Sequence, residues 1–306
     1  MKAVRGETAP SPVAAVVVNH DAGASLRSFL ATLRAENIGE VIVVDNASSD
    51  GSSDDAEAEP TVRVVRTGEN RGYGAGANRG LAATGAELVL VSNPDVAVHR
   101  GAVAALAGAF AADPTLAIAG PRILAADGTR YPSARRFPSM TVAAGHVLLG
   151  LIAPGNRFSR RYRMADLDGP ASPGGDRSTA VAVDWVSGAC FMARHTALTE
   201  LGGFDESYFM YVEDLDLCWR AHRAGWAVAY VPGAVVTHLQ GQSTARRPYR
   251  MLLAHHRSAL HFASRRSDGW RRITLPAVAT ALGARLVVAC ARQAFGTRPK
   301  NERQGD

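Results

Sequence analysis

The chain has 306 residues, 47% of them hydrophobic, and 34 basic against 28 acidic residues give a formal charge of +6. This size and composition exclude a small stapled scaffold and predict a globular, soluble body with one large α/β core or two modest ones. Lysine occurs only at Lys2 and Lys300, so arginine supplies the basic excess and favours anionic partners such as phosphate or lipid headgroups.

The cysteines and the apolar runs indicate the cellular compartment in which the chain folds. Cys190, Cys218 and Cys290 lie far apart with no CxxC spacing, so the sequence predicts neither a zinc site nor a disulfide framework. A reducing cytoplasm fits this pattern. Residues 1–12 lack the apolar core of a signal peptide, and no run of about 20 uninterrupted apolar residues occurs. We therefore expect a chain that is neither exported nor plainly membrane-spanning.

The first half of the chain alternates apolar runs with helical spacing. Residues 13–18 form a β-branched apolar run, and residues 24–35 show a helical pattern. Similar runs at 40–44, 62–66 and 87–91 each end in polar residues. Apolar runs without alternation, separated by helices, predict a parallel sheet buried on both faces. Ligands of such sheets bind beyond the carboxyl ends of the strands, so we expect one shared site there.

Two polar clusters at these strand ends have competing interpretations. Residues 45–51 (DNASSDG) suit either a turn with a helix N-cap or a ligand site. Residues 70–80 (NRGYGAGANRG) suit either a flexible loop or a cradle for a diphosphate. Within them, Gly72, Gly74 and Ala77 form a G-x-G-x-x-A pattern, the permissive dinucleotide fingerprint. A nucleotide-binding role and a structural role both remain open at this point.

Regularity fades over residues 125–184, which we interpret as an excursion from the sheet. An apolar, helix-like stretch at 140–152 is flanked by a basic-aromatic turn and by a second basic group at 157–163. An apolar helix between arginines suits the surface of a bilayer, whereas packing on the protein's own core is the commoner outcome. The sequence leaves both open.

The acids Glu213, Asp214 and Asp216 begin a predicted helix that Gly225 ends. Acids at a helix start are often only complements to the helix dipole. Here an aromatic loop containing Tyr208, Phe209 and Tyr211 precedes them. A carboxylate held beside aromatic rings in a pocket is a plausible general base.

A second candidate pair consists of Asp95, which follows the run at 87–91, and His238, which follows apolar runs at 227–231 and 234–237. A lone histidine is more often structural than a ligand. An oxygen ligand and an imidazole, completed by diphosphate oxygens and water, nevertheless suit Mg²⁺ or Mn²⁺. The sequence therefore offers Asp95 and His238 as candidate ligands of a divalent cation.

The last segment, 249–306, interleaves arginines with an apolar helical pattern, which we expect Pro276 and Arg285 to interrupt. It is too polar for a confident bilayer span. An amphipathic, arginine-rich helix with Trp270 near its start suits an anionic membrane surface. A helix folded onto the catalytic domain or a partner subunit is the equal alternative.

Six blocks in this order resemble the family 2 glycosyltransferases with the GT-A fold. They are VVVNHD, VIVVDNASSDGS, ENRGYGAGANRG, VSNPDV, WVSGACFMARHTALTELGGFDESYFMYVEDLDLCWRAHRAGW and VPGAVVTHLQGQS. The resemblance covers roughly the first 245 residues and is greatest to the rhamnosyltransferase branch. It implies a Rossmann-like, mostly parallel α/β sheet with flanking helices at 13–248, after a flexible segment 1–12 and before a helical tail 249–306.

The resemblance also assigns a donor side. It implies that the nucleotide sugar is held by residues at the ends of the first four strands, with the cation bound by Asp95 and His238. Asn93 stands where the family's DxD-type motif has its first acid, so one negative charge is missing at the cation. The implied donor-binding residues are Asn19, His20, Asp45, Asn70, Arg71, Gly72, Asn78, Asn93 and Asp95.

On the acceptor side, the resemblance makes Asp214 the catalytic base of an inverting transfer. Arg71 and the cation would stabilise the leaving diphosphate, while Glu213 and Asp216 would orient the loop and cap the helix. An aromatic face at Trp185 would stack on a sugar ring. The implied acceptor-binding residues are Trp185, Ser187, Gly188, Ala189 and Glu213.

The resemblance further implies partners and a location. The basic segment before VDWVSGAC is similar to that of enzymes that move L-rhamnose, from dTDP-L-rhamnose, to polyprenyl-diphosphate N-acetylglucosamine in cell-wall linker synthesis. Such an enzyme would lie in the cytoplasm, peripheral to the inner face of the cell membrane. The sequence leaves oligomerisation open and carries no nucleic-acid-binding signature.

Two other function classes compete with this interpretation. An NAD(P)-dependent oxidoreductase would use Gly72, Gly74 and Ala77 for the pyrophosphate and Asp95 for the ribose. That reading leaves the acid pair and His238 without roles. A non-catalytic membrane-binding protein would explain the charge and the arginine-rich tail, and it predicts that Asp214 is dispensable.

Overall fold

A central sheet organises the chain in the computed structural model, which describes residues 13–137, 164, 179–239 and 248–296. The strands, numbered along the chain, are β1 (Val13–Asn19), β2 (Glu40–Asp45), β3 (Val62–Arg66), β4 (Leu88–Ser92), β5 (Val96–Val98), β6 (Leu116–Leu124), β7 (Arg130–Tyr131), β8 (Ala134–Arg135), β9 (Val181–Ala182), β10 (Trp185–Val186), β11 (Cys190–Arg194) and β12 (Ala227–His238). The main sheet has the order β3-β2-β1-β4-β11-β6-β12-β5, while β8 and β10 form a separate pair.

Helices cover both faces of this sheet. They are α1 (Ala24–Leu33), α2 (Ser52–Glu57), α3 (Tyr73–Leu81), α4 (Ala102–Ala112), α5 (His195–Glu200), α6 (Glu213–Arg223), α7 (Pro248–Arg266) and α8 (Leu275–Gly296), with a 3₁₀ turn at Gly269–Thr274 before α8. Strand β1 is buried along its whole length. Val13, Ala15 and Val17 join one core, whereas Val16 and Val18 join the other. The predicted burial on both faces is therefore confirmed.

Strands β1 to β4 form the predicted parallel unit. β1 pairs in parallel with β2 and β4, and β2 pairs in parallel with β3. Strand β11 then inserts antiparallel between β4 and β6. This insertion carries the residues before β11 to the carboxyl end of β4, where Asn93 N donates to Ala189 O over 2.9 Å.

Strand β12 differs from the two separate runs that the sequence indicates. It is one strand with a register shift between Val231 and Val235. Pro232 lies in this irregularity, where its missing N–H costs no ladder hydrogen bond. The strand continues to His238, which pairs with Val96 of β5. The bulge thus delivers His238 to the strand that follows Asp95.

The predicted excursion at 125–184 is described only at its two ends and at residue 164. Strands β7 and β8 follow residue 125, and β9 precedes Trp185. The predicted segment 1–12, the apolar stretch 140–152 and the basic group 157–163 lie outside the described residues, as does the side chain of Trp270.

The C-terminal helices correct one expectation. Pro276 does not interrupt α8, because it is the second residue of the helix, where an N–H has no intrahelical partner. Arg285 lies within the same continuous helix. Within Arg272–Phe295, an 18-residue window has a mean hydropathy of 1.8 and contains no buried residue, and in the described part of the chain this helix alone is long and apolar enough to cross a membrane. That test rests on length and composition only.

Candidate active site

The carboxyl ends of β1, β2 and β4 meet the start of β11 and the end of β12 at one edge of the sheet. Asn46 N donates to Asn19 O over 2.8 Å, which ties β1 to β2. Leu239 N donates to Asp95 O over 2.9 Å, which ties β12 to the segment after β4. The predicted donor and acceptor residues are therefore brought to the same edge.

The loop after β2 is built on buried polar side chains. Asp45 is buried and accepts a hydrogen bond from Ser48 N at 2.9 Å. Asn19, expected to contact the nucleotide, is instead 0% exposed beneath this loop. Its Nδ2 donates to Ser52 Oγ at 2.9 Å and to Ser53 Oγ at 2.8 Å. Asn19 thus shapes the loop from below, and Asp45 and His20 lie nearer its surface.

The turn before α3 is fixed by an asparagine that the sequence reading missed. Asn46 is buried, and its Nδ2 donates to Asn70 Oδ1 at 3.1 Å and to Gly72 O at 3.0 Å. Asn70 Oδ1 also accepts from Gly72 N at 3.0 Å. Asn46 is the residue after Asp45 in the DNASSDG block, but its contact with a turn 24 residues away becomes visible only in the fold.

Gly72 is required at this turn for two reasons. Its φ of 102° is a conformation that L side chains rarely adopt. A Cβ there would lie 2.1 Å from the carbonyl oxygen of Phe209.

Arg71, the residue before Gly72, is half exposed and lies 3.5 Å from Glu206 and 3.7 Å from Glu69. The predicted diphosphate ligand therefore has acidic neighbours.

Asp95 and His238 lie together as predicted. His238 Nε2 is 3.0 Å from Asp95 Oδ1, and both side chains are largely buried. The other ring nitrogen of His238, Nδ1, is buried without a hydrogen-bond partner among the described residues. This pair presents one oxygen and one nitrogen side by side at the end of β4.

Asp95 Oδ1 and His238 Nε2 are hydrogen-bonded to each other at 3.0 Å. Because a carboxylate oxygen and an imidazole nitrogen are both ligands of Mg²⁺ or Mn²⁺, this pair would hold such a cation if one binds at this edge. Among the described residues, no group of three or more His, Cys, Asp and Glu side chains is placed to hold a metal ion, so the remaining ligands would be substrate oxygens and water.

The acid pair starts α6, where Glu213 is buried and Asp214 is partly exposed. Asp214 Oδ2 accepts from Gly188 N at 2.7 Å, and its Oδ1 accepts from Leu215 N at 2.8 Å. Burial raises the pKa of Asp214, although these two N–H groups and the positive charge of Arg135 oppose the rise. Asp214 is the carboxylate of the pair that the backbone holds in place.

Glu213 has the opposite surroundings. It is buried, and its Oε2 has no hydrogen-bond partner within the described part of the chain. Burial, and then the charge of Asp214, raise the pKa of Glu213 to about 8. Glu213 does not cap α6. The N-cap residue is Val212, and no side chain makes a capping hydrogen bond at this end of the helix. Asp216 does not cap it either and pairs with Arg220 at 2.7 Å.

Tyr73 links the two halves of the site, and the sequence reading missed it. It is buried at the start of α3, and its Oη donates to Gly188 O at 2.8 Å. Burial raises the pKa of Tyr73 well above its ordinary value, with smaller contributions from Glu213, Asp214 and Asp95 among others. Its hydroxyl therefore stays neutral and fixes the turn between β10 and β11 that Asp214 also contacts.

The acceptor side departs from expectation at Trp185. Its side chain is only 5% exposed, and the guanidinium of Arg135 lies 4.8 Å from its ring centroid. Arg135 Nη2 also donates to Tyr131 Oη at 2.9 Å. The ring face of Trp185 that we expected to stack on a sugar is therefore covered by the guanidinium of Arg135, a residue that the sequence analysis did not name as part of the site. The residues Ser187, Gly188 and Ala189 follow β10, and Gly188 brings this segment into contact with Asp214.

Asn78 is likewise used within the protein. Its Nδ2 donates to Phe204 O at 2.9 Å, and its Oδ1 accepts from Phe204 N at 2.8 Å. We call residues 202–212, between α5 and α6, the acid loop, because the acid pair follows it directly. Asn78 holds this loop to α3 rather than standing free at the donor side.

Comparisons with known proteins identify the family of the chain. The family model described as glycosyltransferase like family 2 matches residues 10–252. The N-acetylglucosaminyl-diphospho-decaprenol L-rhamnosyltransferase of Mycobacterium tuberculosis is 39% identical over 274 residues, 85% of this chain and 86% of that protein. The pre-mycofactocin glycosyltransferase of the same organism is 30% identical over 227 residues, 74% of this chain and 42% of that protein.

Solved structures share the fold. A mannosyltransferase from Pyrobaculum calidifontis, in complex with GDP-Man and Mn²⁺, has a TM-score of 0.57 at 18% identity and covers 95% of this chain and 82% of its own. These matches confirm the predicted GT-A type α/β fold and support neither the oxidoreductase nor the non-catalytic interpretation. Because the family model spans most of the chain, this protein is an enzyme that belongs to the family 2 glycosyltransferases.

Proposed function

We propose that the chain transfers L-rhamnose from dTDP-L-rhamnose to a hydroxyl of polyprenyl-diphosphate-linked N-acetylglucosamine, with inversion at the anomeric carbon, in cell-wall polysaccharide synthesis. The observation that carries this proposal is the placement of Asp214. Its carboxylate is fixed by Gly188 N at 2.7 Å, on the segment between β10 and β11. The 39% identity to a rhamnosyltransferase acting on a decaprenyl-diphosphate acceptor supports the sugar and the acceptor class.

Asp214 acts as the general base in this proposal. It takes the proton of the acceptor hydroxyl while that oxygen bonds to the anomeric carbon and the bond to the donor diphosphate breaks. A positioned base of this kind contributes about 10²–10⁴ in rate. Glu213 keeps its proton near neutral pH because its pKa is raised to about 8. The pair then carries one negative charge, and that charge lies on the carboxylate with two backbone donors.

The donor side uses the edge formed by β1, β2 and β4. Asp45, His20 and the turn at Asn70 and Gly72 hold the nucleotide, with Asn19 and Asn46 shaping the loops beneath. Arg71 exchanges its partner Glu206, 3.5 Å away, for the donor diphosphate. The half-exposed position of Arg71 permits this exchange.

Asp95 and His238 hold a divalent cation, Mg²⁺ or Mn²⁺, in this proposal. Their 3.0 Å separation and the Mn²⁺ recorded with related GT-A folds support it. When bound, such a cation neutralises the charge that develops on the leaving diphosphate. Asn93 supplies a neutral amide where a second carboxylate would add negative charge. In this proposal the affinity of the site for the cation is therefore low until the donor diphosphate is bound.

The acceptor lies on the side of β8, β10 and the segment 187–189. Arg135, held over Trp185 and bonded to Tyr131, supplies a fixed positive charge close to Asp214. A guanidinium in this position suits the diphosphate of a lipid-linked sugar. In this proposal the enzyme works at the cytoplasmic face of the cell membrane. A polyprenyl-linked acceptor supports membrane binding, and the exposed α8 gives the enzyme an apolar surface for it.

The test is transfer of radiolabel from dTDP-L-rhamnose into a lipid-extractable product. Purified protein is incubated with polyprenyl-diphosphate N-acetylglucosamine and Mg²⁺ or Mn²⁺, beside a panel of other nucleotide sugars. We expect labelled lipid with dTDP-L-rhamnose and much less with the panel, loss of transfer with a chelator, and the opposite anomer by NMR. Transfer from another donor alone would overturn the sugar assignment.

A further inference from the structure

One face of α7 is turned toward the acid loop. Ser258, His261 and Arg265 are spaced by three and four residues, which places their side chains on the same side of the helix. Ser258 is buried there, and the neighbouring His256 and Phe262 are also buried. The family model ends at residue 252, so this face comes almost entirely from a segment beyond it.

Each of the three residues contacts the acid loop. Ser258 Oγ donates to Met210 O at 2.9 Å. His261 Nε2 lies 3.0 Å from Ser207 Oγ, and its ring meets that of Tyr208 edge to face at 4.8 Å. The contacts span the loop from its middle almost to the acid pair.

Arg265 makes the third contact, to two acids. It pairs with Asp205 in the acid loop, and its Nε lies 3.8 Å from Asp216 of α6. Asp216 is 0% exposed and also binds Arg220, which donates to Leu201 O and Gly203 O at the start of the loop. Arg265 therefore joins α7 to both ends of the loop.

The acid loop needs external support because of its backbone. Tyr211 and Val212 have φ values of 68° and 72° directly before Glu213. This left-handed conformation is costly for a β-branched residue and persists only when surrounding contacts impose it. On its other side the loop binds the donor turn, where Phe209 O accepts from Tyr73 N at 3.1 Å.

We propose that Ser258, His261 and Arg265 are positioning residues of the active site, and that α7 holds the acid loop so that the acid pair faces the acceptor. The catalytic unit then extends past residue 248 to include α7, and only α8 remains as a membrane-facing tail. This proposal rests on the proposed function for its kinetic readout, and its structural readout is independent of substrate.

The experiment compares Arg265→Ala and Ser258→Ala with Arg257→Ala, a matched control at an exposed arginine of the same helix. Hydrogen exchange of residues 202–216 is measured by mass spectrometry in the full chain, together with kcat, the KM for donor and the melting temperature. We expect exchange at least tenfold faster in both test variants and unchanged in the control. We expect kcat to fall about tenfold or more, with the donor KM within threefold and the melting temperature close to that of the control.

Arg265→Lys is expected to recover part of the kcat, because an ammonium restores the ion pair with Asp205. Unchanged exchange in Arg265→Ala and Ser258→Ala would overturn the proposal, whatever the activity. Faster exchange with kcat equal to the control would overturn it as well. If the wild-type chain transfers no rhamnose, the proposed function fails, and the exchange comparison still decides whether α7 holds the loop.

Discussion

Glu213 and Asp214 are adjacent in sequence, yet their surroundings differ, because Glu213 is buried and Asp214 is partly exposed. Two backbone N–H groups hold Asp214, whereas Glu213 Oε2 has no hydrogen-bond partner among the described residues. Burial of a carboxylate with an unpartnered oxygen is costly, and this burial raises the pKa of Glu213 so that it holds a proton near neutral pH. The single charge of the pair is thereby assigned to Asp214, which is the state a general base requires.

The charge state of Glu213 predicts a pH dependence of stability. Its pKa is raised to about 8 in the folded protein, so between its ordinary value and about 8 the folded state binds a proton that the unfolded state has lost. Stability contributed by this group is full at low pH and falls as pH rises through that window, by at most about 1.4 kcal/mol per pH unit.

Glu213→Gln removes this dependence. We expect its free energy of unfolding to exceed that of the wild type by an amount that grows from pH 5 to pH 8. Urea unfolding at several pH values measures it, with Glu69→Gln at an exposed position as the control. A difference that stays constant over this range would show that Glu213 titrates normally in the folded protein.

Sequence reasoning brought some of these side chains together and misplaced others. Asp95 and His238, 143 residues apart, were predicted as ligands of one cation, and the structure brings them within 3.0 Å of each other, while their binding of a cation stays a prediction. Asn19, Asn78 and Trp185 follow the same motif order, but their side chains are directed into the protein. Strand order predicts which residues share a sheet edge, whereas side-chain partners depend on loops whose paths the pattern does not specify.

At the scale of elements, small residues let α3 pack closely on the sheet. A Cβ on Gly80 would lie 2.3 Å from Val16 Cγ1 and 2.9 Å from Val44 Cγ2, and one on Gly76 would lie 2.8 Å from Val18 Cγ1. Helix-to-sheet contact therefore explains two glycines of the block 70–80 that suited a diphosphate cradle, whereas Gly72 and Gly74 of the fingerprint lie against Phe209 and Phe204 of the acid loop. Sequence alone does not separate these causes, because both require the absence of a side chain.

Two helix glycines give a matched test of this packing. Gly80→Ala should destabilise the protein by about 1–3 kcal/mol, because the new methyl group overlaps β1 and β2. Gly108→Ala, in α4 with nothing within 4 Å of its Cβ, should stabilise by about 0.5–1 kcal/mol. Chemical denaturation of both variants measures the difference. Equal effects would contradict the close approach of α3 to the sheet.

At the scale of the whole molecule, α8 is the one long apolar helix that the described residues leave uncovered. It packs against α7 and otherwise faces outward, with Val287 69% exposed and Phe295 89% exposed. A patch of this kind on a soluble body marks a binding surface. If the acceptor is polyprenyl-linked, as proposed, a bilayer is the natural partner for that surface.

The exposed face of α8 predicts lipid binding that one charge should weaken. Val287→Glu should reduce co-sedimentation with anionic phospholipid vesicles about tenfold or more, because a buried valine contributes about 1.5–3 kcal/mol and a carboxylate must be desolvated. Ala58→Glu, which places the same charge on the exposed surface of the catalytic region, is the control. Equal sedimentation of the two variants would exclude α8 as the lipid-binding surface.

The most direct test of the whole account is the rate of rhamnosyl transfer by Asp214→Asn, measured beside donor affinity. The amide keeps the size of the side chain and cannot accept the acceptor's proton. We predict a fall in kcat of about 10²–10⁴ with the dissociation constant for dTDP-L-rhamnose within threefold of the wild type. Transfer at close to the wild-type rate would contradict the assignment of Asp214 as the base, and with it the mechanism proposed for this site.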